Sequence, residues 1–282
     1  MTAKDKPVWF ITGCSTGFGR ALAQYTLERG YAVVVTARRT DDIVDLVAGH
    51  EGKALALQLD VTKPDEITSA VAAAQAKFGR IDVLVNNAGV GYFGAVEESD
   101  DAEVRRMFEI NFWGLANMTR EVLPGMRARR SGHIVNISSM GGVRGAPAVG
   151  YYNATKFGLE GLSEALALEV APLGIKVLIV EPSGFRTDWA GRSANQAHSQ
   201  IADYDATAGQ RQRQIRAYSG NQPGDPMRAA AAIVMAVEAP EPPLRLMLGK
   251  AALAAGRAKV EALRRDFEGW AEAAVGADFP DA

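Results

Sequence analysis

The sequence predicts a doubly wound α/β sheet of about seven parallel strands flanked by helices. Three observations predict it. Short β-branched or apolar runs alternate with longer segments of helical period over most of the chain. Several of the short runs, such as Val33-Val34-Val35 and Val177-Leu178-Ile179-Val180, are apolar without interruption, as strands covered on both faces are. The first run passes directly into a glycine-rich turn and then a helical pattern.

In chain order, the strands are predicted at 8–12, 31–36, 54–59, 81–85, 133–137, 176–181 and 244–248, each a short apolar or β-branched run. Between them, 19–29, 43–47, 64–78, 102–129, 152–171 and 226–237 carry helical periodicity. Right-handed crossovers then set all strand carboxyl ends along one edge, where ligands bind. Nothing rich in Pro, Gly or Ser divides the chain, so a single domain over 1–282 is expected. Residues 191–225 are rich in Gln, Arg, Ser and Ala with weak periodicity, and an insertion on the binding edge is expected at about 188–225. Residues 249–275 form a helical extension, its stretch 249–270 amphipathic, read as a packing or oligomer element.

Composition narrows the function. The 282 residues are 48% hydrophobic and 23% charged, which excludes a disordered tail, a collagen-like chain and a disulfide scaffold. With 31 Lys and Arg against 33 Asp and Glu, the net charge of −2 argues against a nucleic-acid partner. The single cysteine, Cys14, and three scattered histidines (His50, His133, His198) offer no metal-ligand spacing, so no metal is expected. The apolar run 229–237 is about half a membrane span. Val8-Trp9-Phe10-Ile11 is too short for a signal-peptide core, and a cytoplasmic location is expected.

The first turn reads Thr12-Gly13-Cys14-Ser15-Thr16-Gly17-Phe18-Gly19. Glycines between a strand and a helix allow a tight bend and close backbone approach to a pyrophosphate, which the helix N-terminus then attracts. The spacing is G-x-x-x-G-x-G, not the general dinucleotide fingerprint, and by itself it fits a plain glycine-rich turn too. Cys14 serves there as a small residue.

Thr12-Gly13-x-x-x-Gly17-x-Gly19, Asn86-Asn87-Ala88-Gly89 and Tyr152-x-x-x-Lys156 occur in that order, and together they resemble the classical short-chain dehydrogenase/reductase family over about residues 7–190. The resemblance implies one three-layer Rossmann-type domain and NAD(P)(H) as hydride carrier, with Gly13, Ser15, Thr16, Gly17, Phe18 and Gly19 around the cofactor. The wording Ile11-Thr12-Gly13-Cys14-Ser15 leans toward the family's steroid- and retinol-oxidising branch.

The second strand ends Val35-Thr36-Ala37-Arg38-Arg39, with Ala37 where NAD-type members carry Asp. A guanidinium pairs bidentately with a 2′-phosphate where an acid would repel it, so Arg38 favours NADP(H) over NAD(H). Arg38 and Arg39 also fit a solvated loop pair. Asp60, followed by Val61, resembles the family's adenine-contacting Asp and fits a turn residue equally. Asn87, Ala88 and Gly89 are read as a brace beside the cofactor.

Carbonyl reduction requires a proton for the nascent alkoxide and donors that polarise the carbonyl. Tyr152 and Lys156, four residues apart, share a helix face, whereas Tyr151 does not. Tyr152 is therefore the acid/base. Its phenol is lowered from its ordinary range near 10 by the Lys156 ammonium and, as the family implies, by an oxidised nicotinamide. Ser138 and Ser139 point to opposite faces of their strand. The family's serine lies thirteen residues before its tyrosine, which selects Ser139 to bond the substrate oxygen. Asn111 matches the family's Asn that holds a water linking the lysine to solvent. The resemblance also places Lys156 on the nicotinamide ribose. It sets Pro182, Phe185 and Thr187 beside the nicotinamide, Thr187 on its carboxamide, while Ser183 departs from the family's glycine.

Val90, Tyr92, Phe93, Met140, Val149, Phe185 and Trp189 are expected near the nicotinamide, which suggests an apolar small-molecule carbonyl or alcohol substrate. The run Arg211-Gln212-Arg213-Gln214-Ile215-Arg216 fits an anion-binding element and, more readily, a solvated helix face. Helices 102–129 and 152–171 resemble those that pair in the family's homodimers and homotetramers. The alternatives are a non-catalytic NAD(P)-binding sensor or regulatory protein of the same fold, a family member acting on sugars or performing epimerisation or dehydration, and a scaffold. The sensor predicts loss of Ser139, Tyr152 or Lys156, and the scaffold predicts no response to NADPH.

Overall fold

The computed structural model describes residues 6–191 and 194–279. The ends of the expected 1–282 domain, with Arg192 and Ser193 of the expected insertion, lie outside the described residues. The strands are β1 (Val8–Ile11), β2 (Ala32–Ala37), β3 (Ala54–Gln58), β4 (Val83–Asn86), β5 (Gly91–Phe93), β6 (Gly132–Ile137), β7 (Ile175–Pro182), β8 (Ala194–Gln196) and β9 (Arg245–Leu248). The helices are α1 (Gly17–Glu28), α2 (Val44–Val47), α3 (Pro64–Phe78), α4 (Asp101–Phe108), α5 (Leu115–Arg129), α6 (Gly150–Val170), α7 (Gln210–Ala217), α8 (Pro226–Glu238), α9 (Lys250–Gly269) and α10 (Ala271–Val275).

Seven strands pair in parallel in the order β3-β2-β1-β4-β6-β7-β9. Strand order reverses between β1 and β4, where Ile11 pairs with Val35 on one side and Val85 on the other. Connections diverge there and leave a crevice at the carboxyl ends of the strands. The uninterrupted apolar runs follow from two cores. Ile11, Val33 and Val35 pack with α1 and α8 on one face, while Phe10, Val34 and Leu84 pack with α3 and α5 on the other. The fold is a three-layer Rossmann-type sandwich.

Local chemistry explains where the elements start. Pro64 opens α3, with Asp65 and Glu66 in its first turn, and Pro226 opens α8 after the Asp225 cap, which accepts from Met227 N–H at 2.8 Å. Asp100 caps α4 in the same way through Glu103 N–H at 3.0 Å.

Several boundaries differ from the sequence expectation. α1 begins at Gly17, two residues early, which brings its free N–H groups closer to the crevice. Residues 81–82 precede β4, because the Asp82 carboxylate is spent on Val8 N–H at 2.8 Å and on Arg80 at 2.8 Å. The helix expected over 102–129 opens into a π turn, Glu109–Gly114, between α4 and α5. The expected 249–275 helix breaks at Trp270 into α9 and α10, and of its residues Ala252, Ala255 and Gly256 are buried. β5 and β8 form a separate parallel pair, too short to carry a readable period. Arg216 of α7 holds this corner by donating to Gly191 and Ala194 carbonyls at 2.6 and 2.8 Å, and its guanidinium lies 4.8 Å from the Phe93 ring centre. The arginine run is thus partly a clamp rather than a solvated face. Among the described residues, no helix is long and apolar enough to cross a membrane.

His133 enters β6 with its Nε2 buried and without a hydrogen-bond partner among the described residues. Burial first, then the Lys176 ammonium, pushes its imidazole down to about 4. A group held neutral in the fold withdraws stability as pH falls from its ordinary value near 6.5 toward 4. In thermal melts, His133→Gln is expected to lose less Tm than the wild type between those pH values; parallel curves would remove this assignment.

Candidate active site

A cleft of about 1470 Å³ runs along the carboxyl edge of the sheet. At one end stands the glycine turn after β1. Gly13 has φ +71°, and a Cβ there would lie 2.9 Å from Ala88 Cα. A Cβ on Gly19 would lie 2.3 Å from the Gly13 carbonyl oxygen. Only glycine leaves the loop this close to α1. Asn87 pins the loop by donating to the Thr12 and Gly13 carbonyls, each at 2.9 Å. Thr12 Oγ1 accepts from Asn87 and Ala88 N–H at 2.9 and 3.0 Å. The brace read from Asn87-Ala88-Gly89 is therefore a direct tie to the glycine turn. Cys14 is buried there, and burial pushes its thiol up to about 12, which closes thiolate chemistry.

The cleft is lined by Gly13, Ser15, Thr16, Gly17 and Phe18 from the turn, then by Arg38, Asp60, Val61, Asn87, Ala88 and Gly89. Gly19 lies just behind its surface. Arg38 is exposed and has no ion-pair partner among the described residues, while Arg39 pairs with Asp42 at 3.4 Å. Asp60 Oδ1 accepts from Thr62 N–H at 3.0 Å and Oγ1 at 2.8 Å, so it is a turn residue as well as a lining one. Pro182, Phe185 and Thr187 close the opposite wall. The Phe185 ring centre sits 4.9 Å from that of Phe18, and Ser183 keeps the local path by donating its N–H to Leu248 at 3.0 Å.

At the other end of the same cleft, β6 and α6 bring together Ser139, Tyr152 and Lys156. Ser139 Oγ accepts from Gly141 N–H at 3.0 Å. Lys156 Nζ lies 5.9 Å from the Tyr152 ring centre and donates to the Ile137 carbonyl at 2.8 Å. Burial pushes the Tyr152 phenol up to about 12, and a hydrogen bond with Ser139 pulls it back. The lowering expected from Lys156 is therefore not found: burial outweighs it, and the ammonium lies 5.9 Å from the ring centre. Burial pulls Lys156 down to about 8, opposed by the Glu160 carboxylate. Tyr151 packs with the aromatic cluster around Phe93 and does not line the cleft.

Asn111 lies in the π turn. Its amide oxygen accepts from Val90 N–H at 2.8 Å, and its NH₂ donates to the Val90 carbonyl at 2.9 Å and the Thr155 hydroxyl at 3.3 Å. The side chain is committed to positioning, so a water held by Asn111 would have to use its main chain.

Two expected pocket residues do not line the cleft: Tyr92 and Phe93 are buried beneath it. Both rings are packed in one cluster with Val104 and Met107 of α4 and Tyr152 of α6. They support Trp189, whose ring centre lies 5.6 Å from Phe93 and 5.0 Å from Tyr152. Val90, Met140, Val149, Phe185, Trp189 and Ile215 supply the apolar wall, with Arg106, Arg144 and Arg211 also lining it. Sequence reasoning missed Asn153, which ties the loop after β6 by accepting from Ala146 N–H at 2.9 Å and donating to the Gly141 carbonyl at 2.8 Å. No local signal marks it. Thr12 was findable, since it stands in the glycine motif itself.

This arrangement defines a nucleotide-dependent oxidoreductase. The family model for short chain dehydrogenase matches residues 7–198, and the chain belongs to that family. It is 41% identical over 240 residues to a 3-ketodihydrosphingosine reductase of Bacteroides thetaiotaomicron, covering 85% of this chain and 86% of that one. A short-chain dehydrogenase structure from Streptomyces avermitilis is 44% identical with TM-score 0.91, covering 98% of this chain and 100% of that chain. A metagenomic short-chain oxidoreductase in complex with NADP is 34% identical with TM-score 0.59, covering 64% of this chain and 83% of the other. The chain is an NAD(P)-binding oxidoreductase.

Proposed function

We propose that this enzyme interconverts a ketone or aldehyde and the corresponding alcohol with NADP(H), on an apolar small molecule. One observation carries the reading: two hydroxyls and a buried ammonium, on Ser139, Tyr152 and Lys156, meet in a cleft continuous with the glycine cradle. The cradle suits a dinucleotide, since side chains are excluded at Gly13 and Gly19 and the first turn of α1 carries no acid to repel a phosphate. Arg38 lines the adjoining edge, with no ion-pair partner among the described residues, for a 2′-phosphate.

When bound, the nicotinamide supplies or accepts the hydride. Ser139 donates to the carbonyl oxygen and orients it. Tyr152 delivers the phenolic proton to that oxygen in reduction and takes it back in oxidation. The Lys156 ammonium favours the phenolate left behind and holds the nicotinamide ribose. A water on the main chain of Asn111 relays the proton from solvent. Thr187 holds the carboxamide.

The apolar wall supports a hydrophobic substrate, and the Bacteroides relative is named for a keto compound. The reading treats 188–225 as the substrate loop and 249–275 as a helical extension of one domain. It places the enzyme in the cytoplasm as a homodimer or homotetramer. Trp113, Phe157, Leu162 and Leu168, exposed on or beside the 115–129 and 150–170 helices, support the oligomer; a monomer by light scattering would refute it.

A panel of ketones and aldehydes assayed by loss of NADPH absorbance tests the activity, and no turnover on any member would overturn it. Arg38→Ala is expected to raise KM for NADPH by roughly 10- to 100-fold, the worth of one charge-assisted pair, and to leave KM for NADH in place. Equal effects on both would return Arg38 to a solvated loop residue.

A further inference from the structure

Behind the floor of the cleft lies a charged cluster that the proposed chemistry does not use. Ser138 donates its hydroxyl to Glu160 Oε1, and Arg245 of β9 pairs with the carboxylates of Glu160 on α6 and Glu181 on β7. The same guanidinium reaches Glu164 at 2.6 Å. Glu160 and Glu181 are buried, and Glu181 Oε2 has no hydrogen-bond partner among the described residues. One cation thus serves three carboxylates. A buried ion network of this kind is weak evidence for stability, so its placement asks for another account.

The placement is specific. Both serines border the cleft, but Ser138 turns its hydroxyl onto Glu160 while Ser139 Oγ accepts from Gly141 N–H. Glu160 lies one helical turn after Lys156 on the same face. The 140–142 turn, which carries Met140 of the substrate wall, packs so closely that a Cβ on Gly142 would lie 2.5 Å from Ser138 Oγ and 2.7 Å from Glu160 Oε1.

We propose that Glu160, held in place by Arg245, is a positioning residue that anchors the Ser138–Ser139 strand end and supplies the negative charge that keeps the Lys156 ammonium protonated in its dry site. The inference rests on the reading of Tyr152 and Lys156 given above.

The other charges around the pair are few. Lys156 faces the Tyr152 ring at 5.9 Å and the Glu160 carboxylate. Glu160 faces Lys156 and Glu164 from its own helix, Glu181 from β7 and Arg245 from β9. Arg257, Lys259 and Glu261 of α9 line the groove of about 850 Å³ beyond them. Burial and then the Glu160 charge push Glu181 up to about 7, while burial of Arg245 is more than reversed by its three carboxylates, which raise it. At Lys156 itself, burial pulls the ammonium down to about 8 and the Glu160 carboxylate one helical turn away opposes that fall.

The test compares kcat/KM for reduction against pH in wild type, Glu160→Gln and Glu160→Asp. Removing an anion beside an ammonium lowers the pH at which the ammonium deprotonates. The alkaline limb of Glu160→Gln is therefore expected to move down by roughly one pH unit, with that of Glu160→Asp staying near the wild-type position. A limb that stays put in Glu160→Gln, or moves equally in both variants, overturns the electrostatic role. Ser138→Ala removes one hydroxyl and serves even if Glu160→Gln does not fold. It is expected to slow turnover several-fold with its limb unmoved, and unchanged turnover overturns the anchoring role. An NMR titration of Lys156 in lysine-labelled enzyme reads the same shift without turnover. A shifted Lys156 in a protein that reduces no carbonyl would sink the catalytic reading alone, while active enzyme with an unshifted Lys156 would sink this inference alone.

Discussion

Tyr152→Phe lowers kcat for carbonyl reduction by about 10²- to 10⁴-fold, the range that one positioned acid/base contributes. The ring survives the change, and with it the packing against Trp189 at 5.0 Å. Affinity for NADPH, read by quenching of protein fluorescence, therefore stays at the wild-type value. The lost atom is the one that the proposed reaction needs, and turnover alone falls. Residual turnover equal to wild type would transfer the proton to another group; among the described residues Tyr218 is the other phenol lining the cleft.

Lys156→Ala carries the second large effect, and of a different kind. Turnover falls by about 10²-fold or more, since a preorganised charge beside the developing phenolate is lost. NADPH binding weakens as well, by roughly tenfold for one hydrogen-bonded cation. The Ile137 carbonyl, to which Lys156 donates at 2.8 Å, is left without that donor and Tm drops. The wild-type reduction rate should decline above about pH 8, where Lys156 gives up its proton, and the variant should lack that limb. Unchanged affinity in Lys156→Ala would show that Lys156 does not touch the cofactor, while the turnover loss could still stand.

Much of the site was legible because its spacing is local. Tyr152 and Lys156 sit four apart on one helix, so their common face follows from the helix period. The Ser138–Ser139 alternation follows from the strand period, and the structure sends the Ser138 hydroxyl onto Glu160, although both serines border the cleft. The missing acid at Ala37 and the glycines at 13, 17 and 19 could be read in the same way. Tyr92 and Phe93 were misplaced because a three-residue strand gives no period from which to choose a face. The wide turn around Asn111 escaped because a π turn keeps helical dihedrals and helical composition on both sides. The arginine run in α7 was read by composition, whereas Arg216 finds its partners in the chain at Gly191 and Ala194.

The amino-acid order alone determined the alternation of strands and helices, the phosphate turn, and which tyrosine and lysine stand together. These are consequences of period and turn chemistry, which act over a few residues. Folding decided what lies behind them. Arg245 and Glu160 are 85 positions apart, and Glu181 belongs to a third element. Only the stacking of β7 and β9 against α6 sets one guanidinium among their carboxylates, because charge interactions depend on distance through space and take no account of distance along the chain.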